Sequence, residues 1–200
     1  MKTTMGAVAL TAALAAGAAG AGAIAGVPAA GAVATPNATL LSAAVQIKGL
    51  QPWPVLRQGP NSTWPRVTVR SLQYLLNAHG AKLAVDGVFG PLTRNAVLAS
   101  QRAHHLKATG VTDAATWRAL IITVRKGSTG SAVRAVQDQV NFRNNKNGHT
   151  LNVDGIYGPK TQAAVRAFQQ GVAFDVRGFP VDGITGPLTW QALVTETLSG

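Results

Sequence analysis

Asp86-Gly87-Val88-Phe89-Gly90-Pro91-Leu92-Thr93 returns 68 residues later as Asp154-Gly155-Ile156-Tyr157-Gly158-Pro159-Lys160-Thr161. Both stretches read as a tight turn followed by a helix. Asp-Gly favours the turn, because Gly tolerates positive φ and Asp can bond its own backbone. Pro91 and Pro159 suit the first position of a helix, where no amide hydrogen is missed. The match extends outward in both directions. Arg57-Gln58-Gly59 pairs with Arg125-Lys126-Gly127 at the same offset, and Val69-Arg70-Ser71-Leu72-Gln73 pairs with Val133-Arg134-Ala135-Val136-Gln137 at an offset of 64. Thr116-Trp117-Arg118-Ala119-Leu120 pairs with Thr189-Trp190-Gln191-Ala192-Leu193 at 73. Four matches in one order mark a tandem duplication, and offsets that drift between them place the length changes in loops.

Each copy predicts three helices. The first spans about 67–79, with Val69, Leu72, Leu75 and Leu76 on one stripe, or 131–142, with Val133, Val136 and Val140. An extended stretch (82–85 or 150–153) leads into the Asp-Gly turn. The second helix follows Gly-Pro and carries Ala96 and Val97, or Ala164, Val165 and Phe168. A short third helix starts near Thr112 or Gly186, with Thr112 as its expected N-cap in the first copy. The expected fold class is all-α: two tandem small three-helix bundles with short Asp-Gly turns. A copy of this size has a marginal core on its own, so the copies are expected to pack together.

The flanks have a different character. Between Lys2 and Lys48 no residue is charged. The light apolar run from Ala7 to Ala18 precedes two small-residue cleavage patterns, Ala23-Ile24-Ala25 and Ala32-Val33-Ala34. Residues 1–34 therefore read as a secretory signal peptide, too poor in Leu, Ile and Phe for a stable membrane span. Residues 35–54, with Pro36, Pro52 and Pro54, read as a linker, 55–122 as the first module and 123–196 as the second. There is no Cys, which excludes disulfides, thiolate zinc sites and a lipidated Cys anchor. The net charge of +11 attracts polyanions, yet the cations are scattered and form no nucleic-acid reading motif.

At these residues the sequence resembles the peptidoglycan-binding domain family, the small three-helix module attached to many bacterial wall hydrolases. The resemblance rests on Arg125-Lys126-Gly127-Ser128-Thr129-Gly130, Val133, Val136-Gln137, Val153 to Thr161, Ala164-Val165, Phe168-Gln169 and Asp182 to Trp190. It implies affinity for peptidoglycan, and the basic charge extends the expected partners to associated anionic wall polymers; the alternative expectation is a secreted accessory or scaffold protein whose modules bind another protein such as a wall hydrolase. The first copy departs from the pattern: Ser100 stands where the second has Phe168, and Val111-Thr112-Asp113 lacks a Gly-Pro step.

Catalysis finds no support in the sequence. His79, His104, His105 and His149 show no metal-ligand spacing, Glu196 is the lone glutamate, and no Ser lies in a nucleophile elbow. The chain is expected to be no enzyme and to need no metal or cofactor. Trp117 and Trp190 are expected in the core, and Asp86 and Asp154 are expected to fix their turns. Trp53 and Trp64 are expected half exposed, as lids or ligand contacts. Phe89 and Tyr157 are expected under the turn, with the Tyr157 hydroxyl at the surface. The expected ligand contacts are Tyr157, the polar loop residues Asn144, Asn145 and Asn147, and Lys160, Gln162 and Arg166, at spacings that can share one helix face. Arg94 is their first-copy counterpart.

Overall fold

The computed structural model describes residues 49–59, 64–143 and 151–195. The expected signal peptide, most of the linker and Asn144, Asn145 and Asn147 lie outside them. Among the described residues there are six helices: α1 (Arg66–Ala78), α2 (Pro91–Ala103), α3 (Ala114–Leu120), α4 (Ser131–Arg143), α5 (Pro159–Asp175) and α6 (Pro187–Thr195). Among the described residues, pairing of extended backbone is limited to isolated bridges. The all-α, twice three-helix expectation holds.

Gly90 and Gly158 sit at the N-caps of α2 and α5 in extended conformation, with Pro91 and Pro159 directly inside. The third helix of the first module begins differently. Its N-cap is Asp113, one residue beyond the expected Thr112, and the Asp113 carboxylate accepts from the Thr116 amide at 2.9 Å. Thr112 instead lends its backbone to a bridge with Leu56. The second-module insertion lengthens α5 to 17 residues against 13 in α2, then tucks Val176 and Phe179 into the core.

Each module closes on itself through a tryptophan. Trp117 and Trp190 are fully buried, and their indole N–H groups donate to the carbonyls of Pro54 and Ile122, each at 2.8 Å. A short bridge reinforces each closure, Leu56 with Thr112 and Val124 with Thr185. Trp53 stacks on Trp117 with ring centres 6.0 Å apart and is 7% exposed. Trp53 and Pro54 are thus part of the first module's core rather than free linker. The buried indole needs an acceptor, and the arriving chain supplies it. Trp64 is half-buried against the core. Upstream, Gln51 accepts from the Gln191 side chain and Gly49 approaches Val176, so this strap touches the second module before entering the first.

The modules dock through α1 and α4. Thr68, Ser71, Ala135 and Gln139 are fully buried. Gln139 Nε2 donates to Ser71 Oγ at 2.9 Å, and Ser71 Oγ donates to the Val67 carbonyl. At the edge, Arg70 forks onto Asp138, with Nε on Oδ2 at 2.7 Å and Nη2 on Oδ1 at 2.9 Å. That bond is the main reason the Arg70 guanidinium holds its proton above its ordinary range. Burial raises the neighbouring Tyr74 phenol, and the Asp138 charge adds to this. Small side chains let the helices approach, and the fork fixes their register.

Candidate wall-binding site

The Asp-Gly turns owe their shape to a buried glutamine. Gln137 Nε2 donates to Asp154 Oδ1 at 2.8 Å, to the Ile156 carbonyl at 3.1 Å and to Thr161 Oγ1 at 3.2 Å. Its Oε1 accepts from the Gly155 amide at 2.9 Å. One side chain thereby ties α4 to the turn and to the first turn of α5. Gln73 does the same for Asp86, Val88, Thr93 and Gly87.

The clamp occurs twice more. Gln169 joins Asp182, Ile184, Thr189 and the Gly183 amide. Gln101 joins Thr109, Val111, Thr116 and the Gly110 amide, with Thr109 replacing the aspartate. All four glycines hold φ between +71° and +79°, a region that favours glycine. Each turn also lies under a side chain of the preceding helix. Arg94 presses on Gly110, Arg134 on Gly155 and Gln162 on Gly183. A single helix–turn–helix device therefore recurs within each module as well as between modules.

Asp86 and Asp154 are turn builders, as expected. Asp86 also accepts from the Val88 amide and Asp154 from the Ile156 amide. The Gln73 bond, then the Val88 amide, holds the Asp86 carboxyl below its ordinary range; for Asp154 the Ile156 amide contributes most, then Gln137. Tyr157 overturns one expectation. Its hydroxyl is not at the surface: the residue is 1% exposed, and the hydroxyl donates to the Gly183 carbonyl at 3.0 Å, beside Thr185 Oγ1 at 3.3 Å. The last turn of the module folds over it, and that burial raises its phenol. Tyr157 couples the two turns of the second module from a buried position.

The remaining second-module candidates split between two places. Lys160 lies exposed in the first turn of α5, on a groove of about 470 Å³ that also involves Leu151, Asn152, Asp154, Ile156 and Pro159. An asparagine supports the extended wall of this groove: Asn141 accepts from the Leu151 amide at 2.6 Å and donates to its carbonyl at 2.8 Å. Gln162 and Arg166 face the next turn instead, where Arg166 Nη2 donates to the Asp182 carbonyl at 3.2 Å. The spacing expected to join all three on one face joins only Gln162 and Arg166. Arg94 occupies the Gln162 position of the first module.

The two modules differ at the groove. By the 68-residue offset, Asn152 and Lys160 correspond to Ala84 and Leu92, and Leu92 is 75% exposed. The backbone frame is shared, because Gln73 and Asn77 match Gln137 and Asn141 bond for bond. Asn152 and Lys160 are the groove residues whose polarity the first module does not share. Among the described residues, no group of three or more His, Cys, Asp or Glu side chains is placed to hold a metal ion. No helix among them is long and apolar enough to cross a membrane.

Comparison with known proteins follows this division. The profile of the family described as "Putative peptidoglycan binding domain" matches residues 66–120 and again 129–193. The chain belongs to this family. Both matched stretches run from a module's first helix, or the turn before it, into its last.

Among curated relatives, an N-acetylmuramoyl-L-alanine amidase, CwlL of Bacillus licheniformis, is 29% identical over 144 residues, 70% of this chain and 38% of its own length. A zinc D-Ala-D-Ala carboxypeptidase of Streptomyces albus G is 39% identical over 71 residues, 36% of this chain and 26% of the carboxypeptidase. An uncharacterized protein of Kitasatospora aureofaciens is 40% identical over 72 residues, 36% of this chain and 55% of its own length. A crystal structure of a Burkholderia AP3 phage endolysin shares 37% identity over 38% of this chain and 26% of the endolysin, with a TM-score of 0.31. The chain thus spans between about a quarter and just over half of each of these proteins.

Proposed function

We propose that this chain is an exported bacterial protein that attaches to peptidoglycan through its second module and carries out no hydrolysis itself. One observation carries the reading: within a peptidoglycan-binding domain pair, only the second module lines its groove with Asn152 and Lys160. Wall peptides end in carboxylates, and an exposed ammonium beside a helix start suits them. Asn152 offers an amide for acetamido groups, and Asn144, Asn145 and Asn147, outside the described residues, are proposed for the same role from their chemistry alone. Arg166 keeps further donors for an anionic polymer beyond its bond to Asp182. Gln162 and Arg94 brace turns and contribute indirectly, and Tyr157 ties the groove's turn to the next one through the Gly183 carbonyl. The first module is the rigid partner that completes the core.

Export rests on the uncharged, small-residue N-terminal stretch, and localisation at the wall on that stretch together with the family. The test is sedimentation of the full chain with purified, protein-free peptidoglycan at physiological salt. The chain is expected in the pellet, and a chain left in the supernatant refutes wall binding. A wall hydrolase as the direct partner would give that negative result and then co-sediment only when the hydrolase is added. Release of soluble fragments would refute the absence of hydrolysis. Lys160→Ala is expected to weaken binding by about tenfold, the scale of one lost charge-assisted bond.

A further inference from the structure

The first module has a groove that the second lacks the means to form. Its walls include Leu76, Ala96, Ser100 and Ala103, it contains His79 and His104, and its volume is about 500 Å³. The 68-residue offset puts Phe168, a buried ring, where the first module has Ser100. The 64-residue offset of the first helices sets Arg143 against His79, and the 68-residue offset sets Val172 against His104. Both imidazoles are therefore peculiar to the first module.

Their hydrogen bonds define their tautomers. His79 Nε2 lies 2.9 Å from the Leu120 carbonyl, and His104 Nδ1 lies 2.8 Å from the Ser100 carbonyl. A carbonyl only accepts, so each of these nitrogens carries the proton. In each neutral ring the other nitrogen, Nδ1 of His79 or Nε2 of His104, keeps a lone pair, with no protein partner among the described residues. An imidazole whose N–H is anchored on a backbone carbonyl is the usual preparation of a metal-ligating histidine.

The ring separation fits as well. With metal–nitrogen bonds of about 2.0 to 2.1 Å and a tetrahedral angle, two ligating imidazoles have centres about 5.2 Å apart. The centres of His79 and His104 are 5.4 Å apart, at an interplanar angle of 80°.

We propose that His79 and His104 form a two-imidazole site for a divalent transition metal that favours nitrogen, namely copper, nickel or zinc, at the mouth of the first-module groove. Two protein ligands leave the other coordination positions to water or to an oxygen of a molecule lying in the groove. Calcium and magnesium, which require oxygen ligands, are excluded from it. The site is independent of the wall-binding reading, because it uses neither Lys160 nor the second module.

Calorimetric titration of the full chain, without a histidine tag, tests it with copper, nickel and zinc chlorides. One ion per chain is expected, with copper bound most tightly. His79→Gln and His104→Gln are each expected to lower affinity by about tenfold or more, while His105→Asn leaves it unchanged. Gln at position 79 can still donate to the Leu120 carbonyl, and circular dichroism checks that each variant is folded. Proton spectra should show His79 and His104 broadening first with nickel. Absence of saturable binding by all three metals overturns the proposal, as does binding of unchanged affinity in either Gln variant or its loss in His105→Asn.

Discussion

Replacing Gln137 with methionine isolates what the glutamine clamp contributes. The two side chains are close in volume, so packing is nearly preserved and the loss is polar. The Gly155 amide, buried under Arg134 and the Gly130 carbonyl, loses its acceptor. An orphaned buried amide costs about 1 to 3 kcal/mol. Asp154 loses its side-chain donor but keeps the Ile156 amide. Thr161 Oγ1 keeps its own bond to the Ile156 carbonyl at 3.3 Å. With the apolar gain of the methionine as a partial offset, the sum is about 3 kcal/mol. For a unit of this size that lowers the melting temperature by roughly 6 to 12 °C. Urea unfolding followed by tryptophan fluorescence reports it, since Trp117 and Trp190 are both fully buried. Gln137→Glu sharpens the test: it keeps an acceptor for Gly155 but sets a second carboxylate against Asp154, and should destabilise at least as much at neutral pH. A Gln137→Met penalty under about 1 kcal/mol, with an unchanged denaturant slope, refutes the clamp as the element that fixes the turn.

Two further outcomes follow from the same geometry. A double-mutant cycle on Arg70→Ala and Asp138→Ala should give a coupling of about 1 kcal/mol, because the fork is bidentate but its side chains remain 31% and 16% exposed; zero coupling would mean that the helix seam holds without it. Asp86 and Asp154 are held below their ordinary range when folded, so they add stability above the unfolded value near pH 3.9 and lose it as pH falls through the folded one. Thermal melts between about pH 5 and 2.5 should therefore steepen in the wild type and flatten in Asp86→Asn/Asp154→Asn, and parallel curves would contradict the assignment.

Much of this fold can be read in the sequence, because its strongest signals are local. Asp-Gly and Gly-Pro pin turns and helix starts through backbone preferences that act over a few residues. The 68-residue repetition then doubles every inference. What escapes is whatever depends on a distant partner. Gln73 and Gln137 look like polar residues on helix faces until the turns that they clamp, 14 and 18 residues ahead, are folded back on them. The recurrence of glutamine before each turn was a visible signal, and Gln101 with Thr109 shows why it is easily missed: one partner had changed. Tyr157 illustrates the same limit. Its place after a turn is compatible with a surface hydroxyl, and only the return of the chain at Gly183 buries it. Of Lys160, Gln162 and Arg166 only the last two, four residues apart, share a face of α5, because Lys160 and Gln162, two apart, point to different sides of the helix.

The clamp also explains how a cysteine-free chain of this kind can diverge at its surface while keeping its frame. In each of its four occurrences the glutamine satisfies a glycine amide, a carbonyl and a threonine hydroxyl, all fixed by the backbone path. Only the residue at the turn's first position varies, and Thr109 replaces Asp there without loss of the frame. Side chains outside that set are free to change. Asn152 and Lys160 against Ala84 and Leu92, and Phe168 against Ser100, all lie at positions that the clamp does not use. The second module can therefore keep a polar groove beside its turn, while the first exchanges an aromatic ring for an open groove with two imidazoles. The seam between α1 and α4 supplies the stability that a single module of this size would lack. Divergence in one module is tolerated because the other shares its core, and the duplicated chain can hold two different surfaces on one framework.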